Sequence, residues 1–347
     1  MNGRHPEGMR IILLYDRPAL AGDRASREVA NQLAAVEEAL ARLGCRAERL
    51  GLDLDLAEFK RRLEREKPDL VFNLVESLDA SDRLQTVIPM LLENWRLPFT
   101  GSGSNAMFLA NHKILAKRFL IANRLATPEC VWLEGTKPAF LPASAPPEEA
   151  IAGAWIIKTV SSHASLHLDD ASVIQSADLP RLVRRLGEAE DRFGQPFFAE
   201  RFIKGREFNL SLIEAAPGEP ETLPAAEIDF SRLPAGKVEM VGYAAKWDEE
   251  SPEFLNTPRT FDLGGAAGPT ARLEGMATAA WKALGLAGYA RIDFRADSAG
   301  RLFILEANAN PCLNPDAGLA AAAARAGLDY PALIRRLIRA GLNRYGI

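Results

Sequence analysis

Two carboxylates and one side-chain amide lie close together in the C-terminal part of the sequence. Asp293 belongs to the alternating stretch YARIDF, and Glu306 and Asn308 belong to a second stretch, LFILEAN. The turn-forming sequence DSAG separates the two stretches, so we predict that they pair as a β-hairpin. Because side chains alternate between the faces of a strand, this pairing brings the three residues together, with Arg291 beside them. Such hard oxygen ligands suit Mg²⁺, with Mn²⁺ as the alternative ion.

A solvent-exposed hairpin with acidic residues on its outer face is the competing interpretation. The surrounding sequence favours a metal site, because Glu306 follows the apolar run LFIL and precedes the sequence ANANP. A carboxylate in such surroundings is expected to be buried, and a buried carboxylate needs a metal ion or a charged partner. We therefore expect Asp293, Glu306 and Asn308 to hold a divalent cation.

Lysines, histidines and a cysteine are further candidates for chemistry. Lys158 lies near the end of the apolar stretch AWIIKTV, and a lysine in that position indicates a functional role. Lys113 falls on a predicted helix, where spacing alone favours an ordinary exposed lysine. His163 and His167 fall on a loop and a strand start, where their spacing does not make a zinc site. Cys312 has no histidine nearby in sequence to activate it, so a packed thiol is the favoured interpretation.

Alternating strands and helices in the first part of the sequence indicate the fold class. Short strands are predicted at residues 10–15, 46–50 and 69–75, with amphipathic helices between them. Strand–helix–strand alternation of this kind predicts a parallel sheet. Later strands are predicted at residues 129–133, 154–160, 197–203 and 207–213, and the proline-containing stretch 136–150 is predicted to be a surface loop. The expected fold class is α/β, with α+β character in the C-terminal part.

The composition excludes several classes of protein. The 347 residues include 42 lysines and arginines against 46 aspartates and glutamates, so the net charge is −4 and no basic field for nucleic acid is expected. The 3 cysteines are widely separated and form neither a disulfide framework nor a zinc motif. No apolar run approaches membrane-spanning length, and the N-terminus lacks the apolar core of a signal peptide. We expect a cytoplasmic protein without nucleic-acid or membrane partners.

Five segments of the sequence form an ordered set of motifs: FTGSGS followed by NHK, then WIIK, ERFIKGREF and AKWD, and finally RIDF with LEANANP. In this order they resemble the motifs of the ATP-grasp ligases and among them the D-alanine–D-alanine ligases. The resemblance extends from about residue 71 to residue 330. It implies an ATP-grasp fold with an N-terminal open-sheet domain at residues 1–104, a central lid domain at residues 105–195 and a C-terminal catalytic domain at residues 196–347.

The resemblance also implies a reaction. Such an enzyme transfers the γ-phosphoryl group of ATP to a carboxylate, and an amine then displaces phosphate to form an amide. Arg291 and Lys246 would be the catalytic residues, with Arg291 facing the acyl phosphate. Asp293, Glu306 and Asn308 would hold Mg²⁺ at the phosphates. The residues that would bind ATP are Lys113, Lys158, Glu200, Phe202, Ile203, Glu207, Lys246 and Leu305.

The positions that hold the two amino acids in those ligases differ in this sequence. The family's donor-binding glutamate aligns with Ser26, and the serine that receives the acceptor's carboxylate falls near Ala317. Arg291 and Asn310 complete the expected substrate site. The family's His-Gly pair after the third strand is replaced by a sequence that ends in Glu76. We therefore expect the same chemistry on other small amino or carboxylic acids.

Several expectations remain open at this point. Asp16 and Asp23 are alternative carboxylates for a donor's ammonium group. The loop SSHAS at residues 161–165 is expected to close over the phosphates and exclude water, although it lacks the glycines of the family's loop. A nucleotide-binding regulatory module without catalysis is an alternative, and so is an enzyme that uses another nucleophile, such as a thiol. The resemblance makes a homodimer the default assembly.

Overall fold

Three parallel strands build the first sheet of the computed structural model, which describes residues 6–17, 24–142, 151–162, 165, 167–264 and 268–347. Ile11 and Leu13 of the middle strand pack against the first helix, and Ile12 and Leu14 pack against the second. Helices on both faces explain why this strand is apolar throughout. The predicted parallel sheet is confirmed. Its elements are β1 (Arg10–Asp16), α1 (Arg24–Arg42), β2 (Arg46–Leu52), α2 (Leu56–Glu66) and β3 (Leu70–Asn73), with strand order β2–β1–β3.

Five antiparallel strands build the second sheet. One helix covers it; Asp178 caps its N-terminus by accepting a hydrogen bond from the Arg181 amide, and Gly194 ends it at φ 66°. Leu182 and Leu186 of this helix pack on the sheet. The elements are β4 (Cys130–Glu134), β5 (Lys137–Leu141), β6 (Gly153–Thr159), β7 (Val173–Ser176), α6 (Leu179–Phe193) and β8 (Phe197–Arg201), with strand order β5–β4–β8–β6–β7.

The prediction of a surface loop over residues 136–150 is wrong for its first part. Strand β5 occupies Lys137–Leu141 and contains Pro138. A proline is accommodated because β5 is an edge strand whose one partner among the described strands is β4, so one side of its backbone needs no ladder hydrogen bond. Residues 143–150 of the same stretch lie outside the described part of the chain.

The third sheet is antiparallel and contains the predicted hairpin. The pairing places Asp293 directly opposite Glu306 and Arg291 opposite Asn308, so the hairpin prediction is confirmed. The partner strand on the other side places Asn209 opposite Asp293. The strands are β9 (Arg206–Ala216), β10 (Glu219–Thr222), β11 (Ala226–Ile228), β12 (Arg259–Thr260), β13 (Tyr289–Ala296) and β14 (Leu302–Asn308), with order β12–β11–β9–β13–β14 and β10 paired to β9.

The remaining helices connect the sheets and cover their outer faces. A 3-10 turn at Asp82–Thr86 precedes the first of these helices. No helix within the described ranges is long and apolar enough to cross a membrane. The helices are α3 (Val87–Asn94), α4 (Ser104–Asn111), α5 (Lys113–Ala122), α7 (Tyr243–Trp247), α8 (Pro252–Leu255), α9 (Thr270–Leu284), α10 (Gly318–Arg325) and α11 (Tyr330–Asn343).

Helix α11, near the end of the chain, packs against the first sheet. Its Leu333 and Leu337 share one buried cluster with Ile11 of β1 and Phe72 of β3. The approach is close at Gly341, where a Cβ atom would lie 2.7 Å from the carbonyl oxygen of Phe99. Glycine is required there because any side chain would meet backbone.

Candidate active site

One cavity of about 570 Å³ contains the predicted site residues whose side chains are described. This volume lies in the usual range for small-molecule sites. Ser26 falls on α1, but its side chain lies outside the described part, as do Asp23 and residues 163, 164 and 166 of the predicted covering loop. The predicted residues that line the cavity are Lys113, Lys158, Glu200, Phe202, Ile203, Glu207, Lys246, Arg291, Asp293, Leu305, Glu306, Asn308, Asn310 and Ala317.

The hairpin brings the predicted oxygen ligands into direct contact. The Nδ2 atom of Asn308 donates to Oδ2 of Asp293 at 3.2 Å and to Oε1 of Glu306 at 3.4 Å. Asn209 on β9 donates to Oδ1 of Asp293 at 2.7 Å and was not predicted. Strand alternation places Asn209 and Glu207 on one face of β9, and this is the signal that could have found it.

Arg291 is held by the carboxylate two residues along the same strand. Its Nε and Nη2 atoms donate to Oδ1 and Oδ2 of Asp293 at 2.7 and 2.9 Å, a bidentate ion pair. Burial opposes the charge, but the Asp293 carboxylate outweighs it and raises the pKa of Arg291. The guanidinium is therefore fixed in orientation and fully charged at the cavity wall.

Glu306 is the centre of a cluster of positive charges. Burial disfavours its ionised form, but the charges of Lys113, Lys246, Lys158 and Arg291 outweigh burial and hold its pKa well below the usual range. Burial lowers the pKa of Lys113 and of Lys246, and the Glu306 carboxylate opposes that change at both. Three lysines from three separate elements thus converge on one carboxylate, although they are far apart in sequence.

Glu200 is buried between two lysines. Its Oε1 lies 2.8 Å from Nζ of Lys158, and its Oε2 lies 2.5 Å from Nζ of Lys117. Lys117 also donates to the Thr127 hydroxyl at 2.5 Å. Burial opposes the ionisation of Glu200, but Lys117 and Lys158 lower its pKa below the usual value. Lys117 is one turn after Lys113 on α5, so it supports the site from behind the cavity.

Glu207 is held by an arginine that the sequence analysis missed. Nη2 of Arg295 donates to Oε2 of Glu207 at 2.8 Å, and its Nη1 donates to the Ile203 carbonyl at 2.9 Å. Its guanidinium also stacks over the Phe202 ring at 5.0 Å. Arg295 continues the alternation of Arg291 and Asp293 along β13, so its face was predictable. The residues that Arg295 contacts were not predictable, because they lie on segments that are distant in sequence.

The opposite end of the cavity is acidic. Glu28 and Glu76 line it, and Glu76 lies in the segment that follows β3. Burial raises the pKa of Glu76 to about 8, with further contributions from Glu28, Asp16 and Asp82, while a hydrogen bond with Gln32 opposes the change. Sequence reasoning named Glu76 only as a departure from the family, because the approach of α1 to this segment is not visible in sequence.

Replacing Glu76 with glutamine is expected to stabilise the protein at high pH. The folded-state pKa of about 8 exceeds the ordinary glutamate pKa of 4.5, so the unfolded chain loses this proton first. Stability is therefore lost as pH rises from about 4.5 to about 8 and stays reduced above that, and glutamine removes this loss. Because water in the cavity screens the charge, we expect a gain of only about 1 kcal/mol.

The measurement is the midpoint of thermal unfolding of the wild-type protein and of Glu76→Gln from pH 5 to pH 9. The difference should grow between pH 5 and pH 8 and then level off at roughly 2 °C. Glu64→Gln, on the exposed face of α2, is the matched control and should show no such trend. A difference that does not change with pH contradicts the raised pKa.

Comparison with known proteins identifies the family. A family model described as the D-ala D-ala ligase C-terminus matches residues 172–339. The chain is 31% identical over 277 residues to the D-alanine–D-alanine ligase of Chromohalobacter salexigens, covering 80% of this chain and 78% of that protein. It is 33% identical over 263 residues to the ligase of Oleidesulfovibrio alaskensis, covering 75% and 76%. The chain belongs to the D-alanine–D-alanine ligase family.

A solved structure supports the fold of this family member. The D-alanine–D-alanine ligase of Bacillus anthracis complexed with ATP superposes with a TM-score of 0.70, at 19% identity, over 98% of this chain and 99% of that one. The expected ATP-grasp fold is confirmed, and membership of this family implies ATP-dependent ligation. The cavity described above is therefore the candidate active site of a D-alanine–D-alanine ligase family member.

Proposed function

We propose that the protein is an ATP-dependent carboxylate–amine ligase that forms an amide through an acyl phosphate, on substrates other than two D-alanine molecules. One observation carries the proposal: Lys113, Lys158, Lys246 and Arg291 surround the buried Glu306 in a single cavity. This excess of positive charge suits a triphosphate, because phosphoryl transfer needs neutralised charge and alignment more than covalent help.

The nucleotide is assigned to the end of the cavity lined by the second and third sheets. Lys113, Lys158 and Lys246 would contact the phosphates, with Leu305 beside them. Glu200 would accept a hydrogen bond from the adenine amino group, next to Phe202 and the Ile203 backbone. Glu207 would bind the ribose hydroxyls, since Arg295 holds only one of its two carboxylate oxygens in the described contacts.

The donor set fits a hard divalent cation. Asp293, Glu306 and Asn308 offer two carboxylates and an amide, which are hard oxygen ligands. The surrounding lysines and Arg291 disfavour a cation alone, so these residues would hold Mg²⁺, or Mn²⁺, together with the nucleotide phosphates. The bound ion would neutralise charge on the transferred phosphoryl group.

Arg291 and Lys246 are assigned the catalytic roles. Asp293 fixes the Arg291 guanidinium, and Nη1, which makes no hydrogen bond among the described residues, would donate to a developing oxyanion. The side chain of Lys246 on α7 interacts with the charge of Glu306 and would balance charge on the phosphates. The loop around residues 161–165 would close over them. Its Ser162 carbonyl already accepts a hydrogen bond from Nζ of Lys113 at 2.5 Å.

The substrate end of the cavity supports a change of substrate. Glu28 and Glu76 form an acidic wall there, and Ala317 offers no hydroxyl. The acidic wall would receive the ammonium group of an amino-acid donor, with Asn310, held by Tyr289 through a 2.6 Å hydrogen bond, beside it. Small amino and carboxylic acids are the proposed substrates, and a homodimer remains the predicted assembly.

The deciding experiment measures ADP release with ATP and Mg²⁺ against single and paired amino acids and small carboxylates. Products are identified by mass spectrometry. We expect turnover that requires two compounds and a product lighter than their sum by one water. Tight ATP binding without turnover for any pair would favour a regulatory module. ADP and phosphate release with one carboxylate alone would favour a different nucleophile, and D-alanine dipeptide as the preferred product would refute the change of substrate.

A further inference from the structure

Two lysines hold the Glu200 carboxylate, one from the cavity and one from behind it. Nζ of Lys158 lies 2.8 Å from Oε1 of Glu200, and Nζ of Lys117 lies 2.5 Å from Oε2. The Lys158 side chain is 18% exposed and lines the cavity. The side chains of Lys117 and Glu200 are each only 1% exposed. Glu200 therefore has one lysine that a nucleotide could reach and one that is sealed in the protein.

The sheet and helix around Glu200 fix this arrangement. Lys158 on β6 and Glu200 on β8 are two residues apart in the strand register, so their side chains share a face. Helix α5 carries Lys117 and is joined to the end of β6 by a 3.0 Å hydrogen bond from the Lys113 amide to the Val160 carbonyl. Lys117 is thus placed by a helix that is anchored to the strand carrying Lys158.

Lys158 connects two parts of the ATP site proposed above. Its charge acts on Glu306 as well as on Glu200. Its Nζ occupies Oε1 of Glu200, the carboxylate assigned to the adenine amino group, whereas Lys158 itself is assigned to the phosphates. Both assignments are met together if nucleotide binding exchanges the donor at Oε1.

Such an exchange is unfavourable for a carboxylate that has no second charged partner. A glutamate buried as completely as Glu200 is stable as an anion only beside a positive charge. Lys117 supplies that charge, and it forms no ion pair with another carboxylate in the described part of the chain. It also donates to the neutral hydroxyl of Thr127 at 2.5 Å. With Lys117 in place, Lys158 can leave Glu200 without leaving a buried charge unpaired.

We propose that Lys117 is a positioning residue of the nucleotide site, which holds the Glu200 carboxylate while Lys158 moves from Oε1 of Glu200 to the phosphates of ATP. The adenine amino group then donates to the vacated oxygen. The proposal rests on the ATP site proposed above and adds to it a residue behind the cavity wall. It also couples the base to the phosphates, because a base without this amino group leaves Oε1 without a donor once Lys158 has moved.

The test measures equilibrium binding of nucleotides with Mg²⁺ and without amino acids, by isothermal titration calorimetry. The probes are ATP and purine riboside triphosphate, which lacks the amino group of the base and is otherwise identical. The wild-type protein should bind ATP roughly 10- to 100-fold more tightly, the range for a hydrogen bond to a charged group. In Lys117→Met this preference should fall below about threefold, and the Kd for ATP should rise at least about tenfold, because Lys158 stays on Glu200.

Three further variants separate the charge of Lys117 from its packing. Lys117→Arg keeps the charge and should keep the preference for ATP within about threefold. Lys60→Met removes the same charge from the exposed face of α2 and is the matched control, which should behave as wild type. The double variant Lys117→Met, Glu200→Gln contains no buried carboxylate that needs a partner. It should bind ATP within about tenfold of wild type, since Lys158 can leave an uncharged glutamine, and it carries the test if Lys117→Met does not fold.

Four results would overturn the proposal. The first is a wild-type protein that binds both nucleotides equally well, and the second is a Lys117→Met variant with wild-type affinity for ATP. The third is a Lys117→Met variant that loses affinity for both nucleotides by the same factor. The fourth is a double variant that binds ATP more than about tenfold more weakly than wild type. All four concern binding alone, so a wild-type protein that binds ATP but ligates no pair of compounds would refute the proposed function and leave this proposal standing.

Discussion

Replacing Glu306 with glutamine is expected to reduce ligase turnover by roughly 1000-fold or more. Glutamine keeps the shape of the side chain but removes its charge and one of the two carboxylates assigned to Mg²⁺. The change also leaves Lys113, Lys158 and Lys246 facing one another without the carboxylate that balances them. Positioning of the phosphates and neutralisation of their charge should therefore both be lost.

The measurement is the rate of ADP release under saturating ATP, with Mg²⁺ varied over a wide range. Excess Mg²⁺ should not restore the wild-type rate, because the lost ligand is part of the protein. The exposed Glu64→Gln variant, which changes the net charge equally, should keep full activity. A Glu306→Gln protein that retains most of its activity would remove the metal assignment.

Replacing Arg291 with alanine is expected to reduce kcat by roughly 100- to 1000-fold and to change the KM for ATP by less than about threefold. The reason is that Arg291 is assigned to charge that develops on the acyl group and is absent from bound ATP. Its partner Asp293 stays hydrogen-bonded to Asn209 and Asn308, so the carboxylate is not left without donors.

The variant Arg291→Lys tests the positive charge of this side chain separately from its hydrogen-bond geometry. Lysine keeps the positive charge but cannot make the two parallel hydrogen bonds to Asp293 at 2.7 and 2.9 Å. We expect it to recover only a small part of the lost kcat. Equal losses in kcat and in ATP affinity for Arg291→Ala would contradict the assigned role and would place Arg291 in the nucleotide site instead.

The sequence predicted the structure best where the contacts join residues that are close together along the chain. The hairpin of β13 and β14 follows from alternation and one turn, and it places Asp293 opposite Glu306 as predicted. The contact between Arg295 and Glu207 and the acidic surroundings of Glu76 depend on how distant segments approach, which no local pattern encodes. Strand β5 was missed because proline was taken to exclude a strand, whereas an edge position tolerates it.

The domain boundaries at residues 104 and 195 remain predictions. The packing of α11 concerns the hydrophobic core of the first of these predicted domains. The chain last pairs with the first sheet at Phe99, which bridges Val71 of β3, yet Leu333 and Leu337 of α11 fill the same core as Ile11 and Phe72. A fragment that ends at residue 104 would therefore expose an apolar face.

The distance in sequence between the first sheet and α11 affects how this sheet folds during synthesis. The ribosome makes the three strands of the first sheet long before α11, the helix that covers part of that sheet. At about 5 to 20 residues per second, the uncovered sheet waits roughly 10 to 50 s for α11. The first sheet therefore reaches its native state only after α11 has been made, and a nascent chain released before then would carry an open hydrophobic surface that favours aggregation.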